Sequence, residues 1–366
     1  MEKDHEKDYQ GNAMKVIVVG AGIIGASIAW HLSRTGAEVI VIDGGAAGAS
    51  SQSFGWINAS FYADTAHHRL QVAGIAAYGR LMAVQPDLPI QMSGALWWEE
   101  QGAALHKMKA QLDAVGYPVA HLNGLQAEAL EPDVRELPSD VLRFAHEGAA
   151  DAGVLAAALL TASGARIVSG IQVLGIAQKD GAVCGFETRV GPIAAQHVVV
   201  AAGTGSPDIL SSLGIKLPML VRPGVLVTTK PVAVKLAHVL VTPHGEVRQL
   251  PDGRILASAV ANHQGDEASD MTEQAEDIAA RVLHWLDPMI AGATLDWDRV
   301  ALAYRPMPAD GFPVIGAVEP TGLHIAVMHS GVTLAAIAGE AVAAEVLGQG
   351  AEYVALLAPY RPSRFQ

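Results

Sequence analysis

Cysteine is nearly absent from these 366 residues. Cys184 has no second cysteine to pair with, so an internal disulfide and any multi-cysteine metal site are excluded, and the usage fits a reducing, cytoplasmic compartment. Positive charge is also scarce. With 24 Lys and Arg against 37 Asp and Glu, the net charge of −13 would repel nucleic-acid phosphates, and no basic stretch offsets it. No secretory leader opens the chain: "MEKDHEKDYQGNA" is polar throughout, so residues 1–13 read as a disordered tail or an expression remnant, with Met14 as the natural start. No run is long and apolar enough to span a membrane. The nearest, Pro320 to Gly339, carries two histidines and breaks in the middle, as strand, turn and helix. A G-x-S-x-G nucleophile elbow, an internal repeat and a low-complexity linker are all missing.

What the chain does have begins at "KVIVVGAGIIGASIAW". Val16 to Val19 read as a buried parallel strand, and Ile24 to Leu32 as an apolar helix. Between them, Gly20 permits a tight turn, Gly22 lets backbone approach a pyrophosphate, and Gly25 lets helix and strand pack closely. An anion on that turn, formed by Gly20, Ala21, Gly22, Ile24 and Gly25, meets the unpaired N–H groups and positive dipole of the helix start. Glu38 to Ile42 form a second strand, and Asp43 at its end is placed to accept ribose hydroxyls. The complete βαβ unit marks dinucleotide binding, where a lone glycine motif would not.

The next segment, "DGGAAGASSQSFGWINAS", separates nicotinamide from flavin. A nicotinamide enzyme runs from the ribose acid into another crossover helix, whereas this stretch is a poor helix and a good phosphate loop. Ser50 and Ser51 offer hydroxyls and N–H groups, and Gly55 permits approach to a flat ring. A flexible surface loop is the competing reading, against which Phe54, Trp56 and Ile57 stand out.

Three motifs in order now resemble the D-amino-acid oxidase superfamily of FAD enzymes, in the branch of glycine oxidase, sarcosine oxidase and D-amino-acid dehydrogenase. They are Ala49-Ser50-Ser51 with Gly55, the strand "HVVVAAGTGSP", and the pair "AYRPMPADGFPVIGAV" and "GLHIAVMHSGVTLAAIAGEAVAAEVLG". The resemblance implies an α/β architecture: a Rossmann-like FAD-binding domain (14–85, 146–214 and 300–366) interleaved with a substrate domain (86–145 and 215–299) built on an antiparallel or mixed sheet with helices. It implies FAD held against Ala202 and Gly203, adenine near Val173, and the helix start Gly331, Val332 and Thr333 aimed at the flavin pyrimidine. The chain departs from the family at Asp43, where relatives carry Glu, and at Met328, where they carry Gly. Leu302 and Ala303 stand where sarcosine oxidases tether flavin through cysteine, so FAD is expected to be non-covalent.

The family reaction moves a hydride from an amine-bearing carbon to flavin, with oxygen or another electron acceptor downstream. Arg305, in the Arg-Pro motif, is the expected clamp for a small amino or imino acid's carboxylate, with a structural salt bridge as the competing reading. Arg248 is either a second clamp or an exposed strand residue, and Trp56 and Tyr62 either wall the pocket or join the core. His67 and His68 read as a solvated helix start, because adjacent side chains diverge and no third ligand is suitably spaced; no metal site is expected. A dehydrogenase passing electrons to a quinone or partner, a non-catalytic flavoprotein subunit and a nicotinamide enzyme are the alternatives. A homo-oligomer and a hetero-complex both stay open.

Overall fold

The computed structural model describes residues 13–171, 173–189, 191–259 and 273–365, so residues 1–12 of the predicted tail lie outside the described residues. Its organising element is a six-stranded sheet in the order Val314–Val318, Leu323–Val327, His197–Val200, Lys15–Val19, Glu38–Asp43 and Arg166–Ser169. All neighbours run parallel except the first two, which form a hairpin.

The uninterrupted apolar run of the first strand has a simple cause: both faces are covered. Val16, Val18, Val39 and Val41 pack on helices, while Ile17, Val19, Ile40 and Ile42 pack on a layer that includes Ile176, Val183 and Phe186 of a three-stranded antiparallel sheet. The first helix, Ile23–Ser33, is buried almost all round for the same reason, sandwiched by the Ala152–Ser163 helix and the C-terminal helix Gly331–Val346. Gly339 makes that crossing close, since a methyl group there would collide with Ser27 and His31.

A second sheet of eight strands runs Trp297–Tyr304, Pro223–Thr229, Ile255–Ser258, Gly245–Gln249, Val239–Thr242, Ala95–Trp97, Asp140–Phe144 and Ala120–Asn123. It is antiparallel except between Val239–Thr242 and Ala95–Trp97. One face, with Leu96, Val227, Leu240, Val247 and Ile255, is covered by the helix Ala275–Met289 through Ile278, Val282 and Leu286. The opposite face meets Phe54, Trp56, Phe61 and Tyr62 of the first sheet's connections.

Two strands cut across the predicted segment boundaries. Trp297–Tyr304 is an edge of the eight-stranded sheet although it continues past residue 300. Ile90–Gln91 pairs with Gly148–Ala150, which also pairs with Trp56–Ile57.

Candidate active site

The predicted glycine turn forms at the C-terminal end of the first strand. Gly20 has φ +112°, and a methyl group on it would collide with the Ala201 carbonyl, so the turn lies directly against the end of the His197–Val200 strand. A methyl group on Gly25 would collide with the Gly20 carbonyl, the close helix–strand contact the spacing predicts. Gly22, the residue before the helix, has no side chain to cap it and the first turn carries no acid; Ser50 Oγ accepts the Ile23 N–H at 3.0 Å. The segment read as a loop contains a short helical turn. Ala49–Gln52 makes one 3₁₀ turn, and the Ser51 hydroxyl is spent on the Gly48 carbonyl at 2.9 Å.

Asp43 ends its strand, with Oδ1 accepting the Gly45 N–H at 3.1 Å. Its carbonyl accepts the Gly170 N–H at 2.8 Å, which brings the turn before Val173 beside it. Ala202 and Gly203 follow their strand into a 3₁₀ turn, and Gly203 (φ +57°) lies against Pro306.

The second helix terminus comes from the far end of the chain. Gly331–Val346 starts after Ser330, which takes a left-handed conformation (φ 58°), and carries no side-chain cap and no acid in its first turn. Thr333 ties this terminus to the segment after Gly55: its hydroxyl accepts the Asn58 N–H at 3.1 Å and lies 3.2 Å from both the Trp56 carbonyl and Asn58 Oδ1. The Tyr78 hydroxyl donates to the Val332 carbonyl at 2.5 Å. Trp56 is half-buried, and its Nε1 is a buried donor with no hydrogen-bond partner among the described residues.

Arg248 corrects one expectation. It is only 4% exposed, so it is not an exposed strand residue. Cross-strand register aligns Arg248, Leu256, Thr228 and Arg299 in one row on the face opposite the Ala275–Met289 helix. The Arg248 Nε donates to the Phe54 carbonyl and a terminal nitrogen to the Ala150 carbonyl at 3.4 Å, and no carboxylate among the described residues pairs with it. Burial holds its guanidinium down to about 10. It borders a cavity of about 50 Å³ together with Ser51, Thr228, Arg254 and Arg299.

Arg305 is half-buried and donates to the Pro223 carbonyl at 2.9 Å. The histidine pair is not solvated as expected. His68 is buried, its Nδ1 3.0 Å from the Ala59 carbonyl and its ring against Tyr62 and Tyr117, and desolvation lowers the pKa of His67 and His68 alike. Among the described residues no group of three or more His, Cys, Asp or Glu could hold a metal, and no helix is long and apolar enough to cross a membrane. The sequence reading missed Tyr78, Asn58 and Glu147, single residues whose partners come from distant segments and leave no local pattern.

The two helix starts meet where Gly331 lies against Ile24, a methyl group on Gly20 or Gly25 would strike backbone, and the Trp56 indole N–H has no partner among the described residues. This donor set fits a dinucleotide carrying a polar ring system.

Residues 15–345 match the family model described as DAO, FAD dependent oxidoreductase. A glycine oxidase of Pseudomonas putida is 25% identical over 371 residues, covering 95% of this chain and 98% of its own length. A D-amino acid dehydrogenase of Cereibacter sphaeroides is 27% identical, over 88% of this chain and 89% of its own. Among solved structures, glycine oxidase from Geobacillus kaustophilus superposes with a TM-score of 0.83 at 22% identity, covering 96% of this chain and 99% of that one. L-Proline dehydrogenase from P. horikoshii gives 0.83 at 21% identity, covering 97% and 98%. At those identities the two structures establish the shared fold.

Proposed function

The chain belongs to the DAO family of FAD-dependent oxidoreductases, and on that premise we propose that it oxidises the C–N bond of a small amino or imino acid, giving an imine that water hydrolyses to a keto acid or aldehyde. FAD supplies the hydride acceptor at its N5 atom, and the protein's part is to bind, orient and exclude. Relatives named for glycine, D-amino acid and iminodiacetate substrates support this class.

The first helix start, with Gly20, Ala21, Gly22, Ile24 and Gly25, holds the pyrophosphate, joined by Ser50, Ser51, Ala202 and Gly203. Asp43 takes the ribose and Val173 the adenine. Gly55 and Trp56 flank the ring, and the dipole of Gly331, Val332 and Thr333 favours the charge that builds on its pyrimidine end during reduction. Arg305 clamps the substrate carboxylate, with Arg248 as the second cation on the facing sheet. Leu302 and Ala303 offer no nucleophile, so the flavin is held without a covalent bond. Residues 14–85, 146–214 and 300–366 carry the cofactor and 86–145 and 215–299 the substrate, with the edge strand Trp297–Tyr304 shared between them.

One observation carries the reading: Arg248 is a buried guanidinium that forms no ion pair among the described residues, Asp151 acting on it only at longer range, on the sheet face that meets Phe54. A buried cation left unpaired is costly unless a ligand supplies the anion. The test is an anaerobic titration of the yellow protein with D-, L- and N-methyl amino acids and imino acids, followed by air. Bleaching by one of them supports the reading, and reoxidation in air separates an oxidase from a dehydrogenase. A flavoprotein that none of them bleaches would sink it.

A further inference from the structure

One buried acid has no part in the chemistry above. Glu147 is 0% exposed and lies just before the Gly148–Ala150 strand. Its Oε1 accepts three hydrogen bonds: from the Ala59 N–H at 3.0 Å, the Ser60 N–H at 2.9 Å and the Tyr117 hydroxyl at 3.0 Å. Among the described residues no donor meets Oε2 in strict hydrogen-bonding geometry, although the Ser60 hydroxyl is near enough to favour the carboxylate.

Ala59 and Ser60 directly follow the Trp56–Asn58 segment that Thr333 pins to the C-terminal helix start. That segment is therefore held at both ends, by a helix terminus on one side and by Glu147 on the other. We propose that Glu147 is a positioning residue, which sets the flavin environment through the Trp56–Ser60 segment. The proposal rests on the flavin site assigned above, at Gly55, Trp56 and Thr333.

The charge state of Glu147 is what gives it leverage. Burial pushes its carboxyl up to about 7, against the pull of its Ser60, Ala59 and Tyr117 donors. Three donors on one oxygen match a carboxylate; a protonated acid would leave part of that set underused. The titratable groups around it do not compensate. Tyr117 is pushed further up by burial and by Glu147 itself, so it stays a neutral donor. His68, from the Thr65–Val84 helix, is held low by burial and contacts the Ala59 carbonyl. His238, beyond Gly94, is paired with Glu131 at 2.6 Å. No cation among the described residues pairs with Glu147. The segment is thus held tightly above neutrality and loosely below it.

The experiment follows the flavin absorption and fluorescence of the oxidised holoprotein from about pH 5.5 to 8.5, in wild type, Glu147→Gln and Tyr117→Phe, with circular dichroism to verify folding. Wild type should show a transition near neutrality. Glu147→Gln keeps the acceptor oxygen and should bind FAD with a spectrum that no longer titrates. Tyr117→Phe removes a donor from the carboxylate and should move the transition up by about half a pH unit to one unit. A wild-type spectrum flat across the range, or a transition retained in Glu147→Gln, overturns the proposal. If Glu147→Gln does not fold, Tyr117→Phe decides, an unshifted transition overturning it. Loss of the flavin-site reading would look different: no yellow protein under any condition.

Discussion

The Tyr78 hydroxyl, on the Thr65–Val84 helix, donates to the Val332 carbonyl in the first turn of the C-terminal helix. The bond is buried, and it fixes the helix terminus proposed to face the flavin pyrimidine. Tyr78→Phe should cost about 1 kcal/mol and lower Tm by roughly 2 °C. It should also weaken FAD binding several-fold. Thermal denaturation with and without added FAD checks both, and an unchanged FAD dissociation constant would confine Tyr78 to stability.

The cradle can be blocked without breaking the fold. Gly22 has an ordinary extended φ of −69°, so a side chain is allowed there, but its Cβ would come within 3.0 Å of Ser50 Oγ. Gly22→Asp places a carboxylate on the N–H groups that the pyrophosphate needs. FAD affinity should fall by more than about 100-fold, or roughly 3 kcal/mol, while circular dichroism stays that of the apoprotein. A variant that purifies yellow refutes the assignment of this turn.

The two arginines separate by kinetics. Arg305→Met should raise KM for amino acids by about 30- to 100-fold, the worth of a charge-assisted hydrogen bond, and leave amines without a carboxylate little changed. Arg248→Met should do the same if Arg248 touches substrate. If its bonds to Phe54 and Ala150 are its whole purpose, the flavin spectrum shifts and KM does not.

Acid precipitation should release the yellow colour into the supernatant. The cysteine Cys184 is exposed on the Ala182–Thr188 strand, away from the cradle's residues in sequence and in sheet, and Leu302 and Ala303 cannot form a tether. Colour retained in the pellet would show a covalent bond.

His324 predicts acid lability. Buried in the Leu323–Val327 strand with His197 beside it, it is held neutral down to about 4, chiefly by desolvation. Between the ordinary histidine value and 4, the unfolded chain takes up a proton that the folded one refuses, so stability is lost as pH falls through this window, by about 3 kcal/mol. Glu147 tilts the other way, since the folded chain there holds the extra proton. The comparison is therefore between wild type and His324→Gln at each pH, and the variant should lose less stability between pH 6.5 and 4 in denaturant titrations. Equal slopes would remove His324 from the account.

Much of this was legible in one dimension because it is local. The turn at Gly20, Gly22 and Gly25, the acid at Asp43 and the helix start at Gly331 each depend on neighbours within a few residues, where backbone sterics and hydrogen-bonding period act directly. The family motifs added the cofactor. His68 and Arg248 were misread or left open for the complementary reason: a charged or polar side chain at a helix start or on a strand looks exposed until the segments that bury it are known.

The sequence by itself determined the dinucleotide-binding fold, because apolar runs, glycine turns and their spacing are enough to specify a parallel sheet with a helix terminus at the end of its first strand. Only the tertiary structure decided what surrounds the segment of residues 55–60. Residues as far apart as Trp56, Glu147 and Thr333 meet there through sheet pairing and helix packing, and whether a charge is buried, paired or left for a ligand depends on the summed desolvation of all of them, which no single segment encodes.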